Sequence, residues 1–422
     1  MTKKVLYILS SSFPFGDKEP LIQIEVQALC DEFDEVIVLS SEKISEKKYE
    51  LPSNGHAYYF PAKTNVVQKL LFSFQLFFSK LFWDEIKTIR FTLNLKFSKE
   101  IFKTILSAYA EARWFKKQVR KLQKNLGLYS AENYYYAWWS RYQSIGFSML
   151  KVQDKKAKFF LRMHGYDLYF ERHQPAYLPF RKLLFDRANA VLFISEQGKN
   201  YIQKKFNHGY TNHHVARLGT KNEHELPPFI ESKKINVVSC SNLIPLKRVH
   251  AIIDALAIID QNISISWVHF GTGPLLNDLE KLAHQKLDVK PNVNFDFKGF
   301  IKNSDLHLYY CNHQVDLLIN VSETEGIPIS IIEANSFSIP AIATDVGGVS
   351  EIVSNDNGYL IDPQNVIDSL IEALNSYISL SIEQKTALRK NARSKWKADF
   401  NSESNIHHLM TILNDKNLGD GN

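Results

Sequence analysis

The most informative part of this chain is the stretch Ser322-Glu323-Thr324-Glu325-Gly326-Ile327-Pro328-Ile329-Ser330-Ile331-Ile332-Glu333-Ala334. The apolar run before it, residues 315–320, is typical of a buried strand, and Pro328 is tolerated in the first turn of a following helix. Glu325 is therefore predicted on the connecting loop and Glu333 on the helix. Such a junction directs backbone N–H groups and the positive end of a helix toward the carboxyl edge of a parallel sheet. A phosphorylated ligand with sugar hydroxyls suits this edge.

The same stretch resembles a known donor-site signature. Seven residues separate Glu325 from Glu333, and the run Ile339-Pro340-Ala341-Ile342-Ala343-Thr344-Asp345-Val346-Gly347-Gly348 follows. This pattern is similar to family 4 of the retaining, nucleotide-sugar-dependent glycosyltransferases. The resemblance implies that Glu325 is catalytic beside the donor sugar and that Glu333 bonds the ribose. It also implies that Gly326 and Ile327 offer backbone N–H groups to the sugar or phosphate.

The order of elements predicts an α/β protein. Strands near 5–9, 36–39, 235–239 and 265–270 alternate with helical segments, which indicates parallel sheets. With 422 residues the chain is long enough for two such domains. The resemblance implies the GT-B architecture, two Rossmann-like, doubly wound domains facing a central cleft.

Polar residues around Pro227-Pro228 predict a stiff linker between the domains. We therefore predict an acceptor-binding domain over residues 1–228 and a nucleotide-sugar-binding domain over 229–386. Residues 387–422 read as helix. In the resembled family the closing helices cross back to the first domain, and we expect the same here.

Cations are predicted to hold the donor diphosphate. After the strand near 235–239, the family usually carries an arginine and, five residues on, a lysine followed by glycine. Lys247 fits the lysine, whereas Asn242 stands at the arginine position and Arg248 at the glycine position. Arg248 is expected to supply the missing charge. The alternative is an exposed pair of bases at a helix start.

Glycine loops and one histidine complete the predicted site. Gly16 follows the first strand and is a candidate for close approach to phosphate, although a plain turn is the alternative. Gly271 and Gly273 resemble the family's Gly-x-Gly-Pro loop. Phe300 lies where backbone groups of the family's members contact the nucleotide base. His164, in a His-Gly-x-Asp pattern after a strand, resembles the catalytic histidine that reaches the donor sugar, and a structural histidine is the alternative.

No metal or cofactor is predicted. The chain contains no Asp-x-Asp pair and no His/Cys cluster with zinc spacing, so cations and helix N-termini must stabilise the leaving group. The nucleotide sugar, UDP- or GDP-linked, is a substrate. Three scattered thiols, Cys30, Cys240 and Cys311, fit a reducing compartment. The N-terminus lacks a signal-peptide core, so a cytoplasmic location is expected.

Residues 63–125 are basic and aromatic at once. They contain 14 Lys+Arg against 4 Asp+Glu, whereas the whole chain carries a net charge of +6. Bases such as Lys80, Lys87 and Arg90, together with many rings, predict peripheral binding to an anionic inner-membrane surface. The alternative is an ordinary pair of amphipathic helices. Nucleic acid is not an expected partner.

These features together predict a retaining transferase that moves a hexose-type sugar to a growing glycan. The Phe13-Pro14-Phe15-Gly16 opening beside the Glu-Gly-Ile-Pro motif looks like bacterial surface-polysaccharide transferases. The resemblance implies a lipid-linked oligosaccharide acceptor. The rivals are a nucleotide-sugar epimerase or phosphorylase of the same architecture and a noncatalytic glycan- or lipid-binding protein.

Overall fold

The computed structural model describes residues 2–16, 19–44, 46, 49–61 and 66–415. The chain forms two compact units, residues 1–217 with 406–422 and residues 218–405. Predictions that fall on residues 63–65 and 416–422 lie outside the described residues.

The first unit contains a parallel sheet with seven described strands. They are β1 (Lys4–Ser10), β2 (Glu35–Ser40), β3 (Gly55–Tyr59), β4 (Glu132–Ala137), β5 (Lys158–Met163), β6 (Ala190–Phe193) and β7 (His213–Val215). Their order across the sheet is β3-β2-β1-β4-β5-β6-β7. Strand order reverses between β1 and β4, as in a doubly wound fold.

Helices cover this sheet. They are α1 (Pro20–Glu32), α2 (Val66–Phe77), α3 (Lys80–Lys87), α4 (Lys99–Asn125), α5 (Tyr142–Gln153), α6 (Arg181–Arg187) and α7 (Glu196–Phe206). Helix α4 begins where the Ser98 hydroxyl accepts the Ile101 N–H group at 3.2 Å. Its apolar residues recur at helical spacing, so that Ile101, Ile105, Ala108, Ala112, Phe115 and Val119 are all buried.

The second unit repeats this plan with six described strands, all parallel. They are β8 (Lys234–Cys240), β9 (Ser264–Phe270), β10 (Val293–Gly299), β11 (Leu317–Asn320), β12 (Ala341–Thr344) and β13 (Gly358–Ile361). The order is β10-β9-β8-β11-β12-β13. Its helices are α8 (Val249–Ile258), α9 (Leu276–Leu287), α10 (Asn303–Asn312), α11 (Ile329–Ser336), α12 (Val366–Ile378) and α13 (Ile382–Asp399), and α14 (Ser402–Asn414) follows.

The units and the predicted domains end at different residues. The predicted linker groups with the second unit because the Ile230 N–H donates to the Gln314 side chain at 3.3 Å. Residues 387–405 also group there, since the Arg389 guanidinium donates to the Val315 carbonyl at 2.8 Å. From residue 406 onward α14 groups with the first unit, where His408 bonds the Val215 carbonyl at 3.1 Å.

Candidate active site

The point where strand order reverses in the second sheet lies between β8 and β11. Connections leave these two strands toward opposite sides, so the loops at their carboxyl ends diverge and leave a crevice. In open α/β sheets this is where ligands bind. The loops are residues 241–248 and 321–328, and they carry Asn242, Lys247, Arg248 and Glu325.

Lys247 and Glu325 meet across this point. The Lys247 Nζ atom lies 2.5 Å from Glu325 Oε1, and the side chains are 20% and 11% exposed. The amide of Asn320, the last residue of β11, lies 3.4 Å from the same oxygen. Because water reaches this pair poorly, the attraction is less screened than on an open surface. Two residues predicted from separate motifs are therefore brought together.

Arg248 supports the loop that carries Glu325. Its guanidinium donates to the carbonyls of Val321 at 2.8 Å, Ser322 at 2.9 Å and Pro363 at 3.0 Å. The residue adopts the left-handed conformation, with φ of 48°. Glycine, which the resembled family usually has at this position, adopts this conformation readily. The phosphate role of Arg248 stays a prediction, and one N–H on each Nη atom is not used by these three hydrogen bonds. Asn242 is exposed at the start of the same loop.

Glu333 lies on α11, facing α10. Its carboxylate accepts a hydrogen bond from the Asn303 amide, and His307 Nε2 lies 3.8 Å from Oε1. The side chain is almost fully buried. Sequence reasoning missed Asn303 and His307, whose spacing of four on α10 places them on one helical face. The ribose role of Glu333 remains a prediction.

The loop before α11 is fixed by a tight contact. Gly347 has φ of 55°, and a Cβ atom there would lie 1.9 Å from the Glu325 carbonyl oxygen. The next residue, Gly348, donates its N–H to the Gly326 carbonyl at 2.9 Å. Within the described residues, the N–H groups of Gly326 and Ile327 make no hydrogen bond. These two donors therefore remain available at the helix start.

The glycine loop after β9 packs against the loop after β8. Gly271 has φ of 140°, and a Cβ atom there would lie 1.8 Å from the Ser241 carbonyl oxygen. A Cβ atom on Gly273 would lie 2.4 Å from the Leu243 carbonyl oxygen. Both glycines are thus required for loop packing, and a ligand contact remains a prediction. Phe300, after β10, is 66% exposed at the same edge of the sheet.

His164 follows β5 at the carboxyl edge of the first sheet. Its ring lies between Trp138 and Trp139, with centroids 5.4 and 4.2 Å away. The residue is buried; its Nδ1 lies 3.9 Å from Asp167 Oδ2, and within the described residues Nε2 makes no hydrogen bond. A buried, unpaired polar group costs about 1–3 kcal/mol. This cost favours a ligand contact over the structural alternative for His164.

Asp167 holds the backbone that carries His164. Its carboxylate accepts the His164 N–H at 2.8 Å and the Ser140 N–H at 2.7 Å. Burial opposes ionisation of Asp167, but interactions with His164 and the bond from Ser140 hold its pKa below the usual value. The predicted His-Gly-x-Asp pattern is therefore a local hydrogen-bonded turn.

The loop after β1 is held by the side-chain carboxylate of Glu19. Glu19 accepts the backbone N–H groups of Ser11 at 2.9 Å, Ser12 at 2.5 Å and Phe13 at 2.9 Å. Gly16 does not have positive φ. A Cβ atom there would lie 3.0 Å from Ile44. A phosphate contact by this loop stays a prediction.

A buried ion pair joins β5 to α1. Arg162, on β5, is fully buried and donates to Glu25 and to the Ala216 carbonyl at 3.1 Å. Burial raises the pKa of Glu25, while the nearby Arg162 opposes that rise. The sequence contained one signal for this pair, a cation inside the apolar run Phe159–Met163.

A cavity of about 430 Å³ opens at the carboxyl edge of the first sheet. We call it the polar cavity; its lining includes Glu42, Ser140, Tyr142, Gln143, Tyr166, Asp167, His173 and Arg181. Three buried atoms of its lining, Ser140 Oγ, Gln143 Oε1 and Arg181 Nε, make no hydrogen bond within the described residues. Donors, acceptors and tyrosine rings are therefore mixed in one concave site.

The basic segment presents an exposed aromatic surface, defined here by Leu71, Phe74, Phe78, Trp83 and Phe91. These side chains are 58–79% exposed. Lys80, Lys87 and Arg90 are exposed among them. No described helix is long and apolar enough to cross a membrane. In the part of the chain that the structure describes, no group of three His, Cys, Asp or Glu residues could hold a metal ion.

Comparison with known proteins identifies the second unit. Residues 220–395 match the family model described as Glycosyl transferases group 1. This part of the chain is similar to the group 1 glycosyltransferases. The matched region includes the loops after β8 and β11, so Lys247, Glu325 and Glu333 all lie within it.

One curated relative is the putative colanic acid biosynthesis glycosyltransferase WcaL of Escherichia coli K12. It is 25% identical over 259 residues, which cover 59% of this chain and 62% of WcaL. The chain spans less than two thirds of the length of this and the next curated relatives. Two of these relatives are named for colanic acid biosynthesis and one as a poly(ribitol-phosphate) alpha-N-acetylglucosaminyltransferase.

Two solved structures share the fold over almost the whole chain. Anabaena HepE, solved with UDP and glucose, has a TM-score of 0.64 and 17% identity, with coverage of 97% and 99%. A glycosyltransferase from Rickettsia africae has a TM-score of 0.67 and 15% identity, with coverage of 98% and 100%. Together with the two parallel sheets, these similarities confirm the predicted GT-B fold class.

Proposed function

We propose that this chain is a retaining, metal-independent glycosyltransferase of family 4. It transfers a sugar from a UDP- or GDP-linked donor to a hydroxyl of a glycan in surface-polysaccharide synthesis. The observation that carries the proposal is the Lys247–Glu325 pair at the switch point of the second sheet, with Glu333 on the helix that follows. A cation beside two carboxylates matches a ligand that combines phosphate with sugar and ribose hydroxyls.

Donor binding would exchange the partners of this pair. Lys247 is neutralised by Glu325 at 2.5 Å in the free protein. An arriving diphosphate attracts Lys247, and the released Glu325 carboxylate then accepts hydrogen bonds from sugar hydroxyls. The N–H groups of Gly326 and Ile327 add donors for the leaving phosphate. Lys247 thus supplies charge that a metal ion supplies in other transferases.

Retention proceeds by front-face attack in this proposal, with the departing phosphate accepting the acceptor's proton. The thiol of Cys240, the last residue of β8, is not proposed as a nucleophile. Burial, with a smaller contribution from the Glu333 charge, raises the pKa of Cys240 to about 12, so it stays protonated at neutral pH. Glu325 is proposed to contact the donor sugar rather than to form a covalent intermediate with it.

The acceptor is proposed to bind in the polar cavity. Its lining side chains Glu42, Tyr166 and His173 offer both donors and acceptors, which suits a hydroxyl-rich glycan. The aromatic surface, with Lys80, Lys87 and Arg90, is proposed to contact anionic lipid at the inner membrane face. A lipid-linked oligosaccharide joins the two features, because its glycan would enter the cavity while its lipid stays in the membrane.

The test is a donor panel. Purified protein is incubated with UDP-, GDP- and ADP-linked sugars, with and without a glycan acceptor, and nucleotide release is measured. Release from one donor class, increased by the acceptor, is the expected result. Donor binding without release would favour a noncatalytic protein, and conversion of the donor sugar to its epimer would favour the epimerase.

A further inference from the structure

Helix α3 has one face in the aromatic surface and one face in the core. Trp83 is 58% exposed, and its indole N–H donates to the Phe77 carbonyl at 3.1 Å, which ties α3 to the end of α2. Phe82 and Glu85, three residues apart, are buried on the opposite face. A carboxylate on the inner face of so short a helix requires partners.

Those partners belong to the segment that precedes α6. Glu85 Oε1 accepts the Tyr177 hydroxyl and the Phe180 backbone N–H, the latter at 2.8 Å. Phe180 has φ of 59°, in the left-handed region that a bulky side chain rarely adopts. Glu85 therefore fixes the unfavourable turn at Phe180. It does so from the face of α3 opposite to the exposed Trp83 ring.

The next residue carries this constraint to the polar cavity. Arg181 donates to the Ser140 carbonyl at 2.7 Å and to the Asp167 carbonyl at 3.0 Å. Asp167 in turn accepts the N–H groups of Ser140 and His164. Hydrogen bonds thus join α3 to Phe180, and the next residue, Arg181, is bonded to the turn that carries His164.

We propose that Glu85 is a positioning residue that transmits attachment of the aromatic surface to the polar cavity. The proposal rests on the proposed function, because that function assigns a lipid contact to one end and an acceptor to the other. When Trp83 and its neighbours enter an anionic lipid surface, α3 is held in place. Glu85 then holds the Phe180 turn, and Arg181 keeps its carbonyl partners.

The test measures hydrogen exchange of peptides covering residues 176–187. Wild-type protein is compared with Glu85→Gln, and Asp84→Asn is the matched control, because Asp84 is an exposed carboxylate on the same helix. Each of the three proteins is measured without vesicles, with phosphatidylcholine vesicles and with vesicles containing phosphatidylglycerol. Vesicle binding is followed separately by cosedimentation.

Anionic vesicles are expected to slow exchange severalfold in wild type and in Asp84→Asn. Glu85→Gln is expected to bind the vesicles equally well with a weaker response, because its amide oxygen still accepts both hydrogen bonds but lacks the carboxylate charge. The proposal is overturned if wild type does not bind anionic vesicles, if bound wild type shows no slowing, or if Glu85→Gln responds like wild type. Should Glu85→Gln fail to fold, Tyr177→Phe, which removes one donor to the same oxygen, replaces it and is expected to weaken the response.

A second measurement separates this proposal from the proposed function. Acceptor-dependent transfer is expected to rise with anionic vesicles in wild type and to rise less in Glu85→Gln, whereas donor hydrolysis without acceptor stays equal. Exchange needs no turnover, so absence of any transfer would count against the function while the exchange result still decides the role of Glu85.

Discussion

Lys247 and Glu325 come from loops after different strands, 78 residues apart in sequence, and their Nζ and Oε1 atoms lie 2.5 Å apart. The pair joins the two sides of the switch point in the second sheet. It also gives the loop after β11 an ionic partner before any substrate arrives. Substitutions at the two residues should therefore have distinguishable effects.

Glu325→Ala should abolish sugar transfer, and Glu333→Ala should mainly weaken donor binding. Loss of a charge-assisted hydrogen bond costs about 1.5–3 kcal/mol, which is roughly a 10- to 150-fold rise in donor KM for Glu333→Ala. Steady-state kinetics with the preferred donor measures both. Glu323→Ala, an exposed neighbour, is the control and should behave like wild type. Normal turnover and donor KM in both variants would contradict the assignment.

Transfer should persist in excess EDTA, because Lys247 provides the positive charge for the leaving phosphate. Lys247→Ala should lower kcat, and added Mg²⁺ should not restore it. Lys286→Ala is the matched control, since Lys286 pairs with Asp254 at 2.6 Å on helices away from the switch point. Complete inhibition by EDTA that Mn²⁺ reverses would rule out this metal-independent mechanism.

Gly347→Ala should destabilise the protein and raise the donor KM. Its φ of 55° and the 1.9 Å approach to the Glu325 carbonyl together penalise any side chain. Gly127→Ala measures the cost of positive φ alone, because Gly127 has φ of 68° with open space around it. We expect about 1–2 kcal/mol for Gly127→Ala and more for Gly347→Ala. Urea unfolding measures both, and equal losses would refute a tight contact at Gly347.

The sequence predicts which loops and helices carry the site residues better than it predicts the contacts between those residues. Glu325 on a loop and Glu333 on a helix are confirmed because strand periodicity and Pro328 are local signals. The closing segment from residue 387 is helical as expected, but its helix is interrupted at one point. Phe400 and Asn401 break it, since Thr220 donates to the Phe400 carbonyl at 3.0 Å and accepts the Ser402 N–H at 3.1 Å.

Long-range partners were beyond sequence reasoning for a physical reason. Nothing local shows that Glu19 binds the N–H groups after β1, or that Glu85 reaches Tyr177 across the first unit. Arg248 is a further example, because its left-handed φ and three carbonyl partners come from tertiary contacts. Such residues are visible in sequence only as charges in apolar surroundings.

Binding to liposomes should need anionic lipid and weaken with added salt. Each base near an anionic surface contributes about 1 kcal/mol, and the attraction is screened within about 10 Å at 0.1 M salt. Replacing Lys80, Lys87 and Arg90 by Glu should weaken binding while donor hydrolysis remains. The same change at exposed Lys281, Lys390 and Lys397 in the second unit is the control. Equal binding by the two triple variants would argue against the aromatic surface as the contact.

Glu85 should make stability depend on pH near neutrality. Burial raises its pKa to about 7, although the Tyr177 hydroxyl, the Phe180 N–H and the Arg181 charge all favour the ionised form. A carboxyl whose pKa is raised on folding stabilises the protein when protonated, and that contribution is lost as pH rises from about 4.5 to about 7. The free energy of unfolding of wild type should therefore fall relative to that of Glu85→Gln between pH 5 and pH 8.

The expected relative change is about 2–3 kcal/mol, because each unit of pKa shift corresponds to about 1.4 kcal/mol. Urea unfolding at the two pH values measures it for wild type, Glu85→Gln and the control Asp84→Asn. Asp84→Asn should follow wild type, because that exposed carboxylate keeps its hydration on folding. Parallel pH dependence in wild type and Glu85→Gln would show that Glu85 is ionised throughout this range, and its hydrogen bonds to Tyr177 and Phe180 would then carry the full cost of a buried charge.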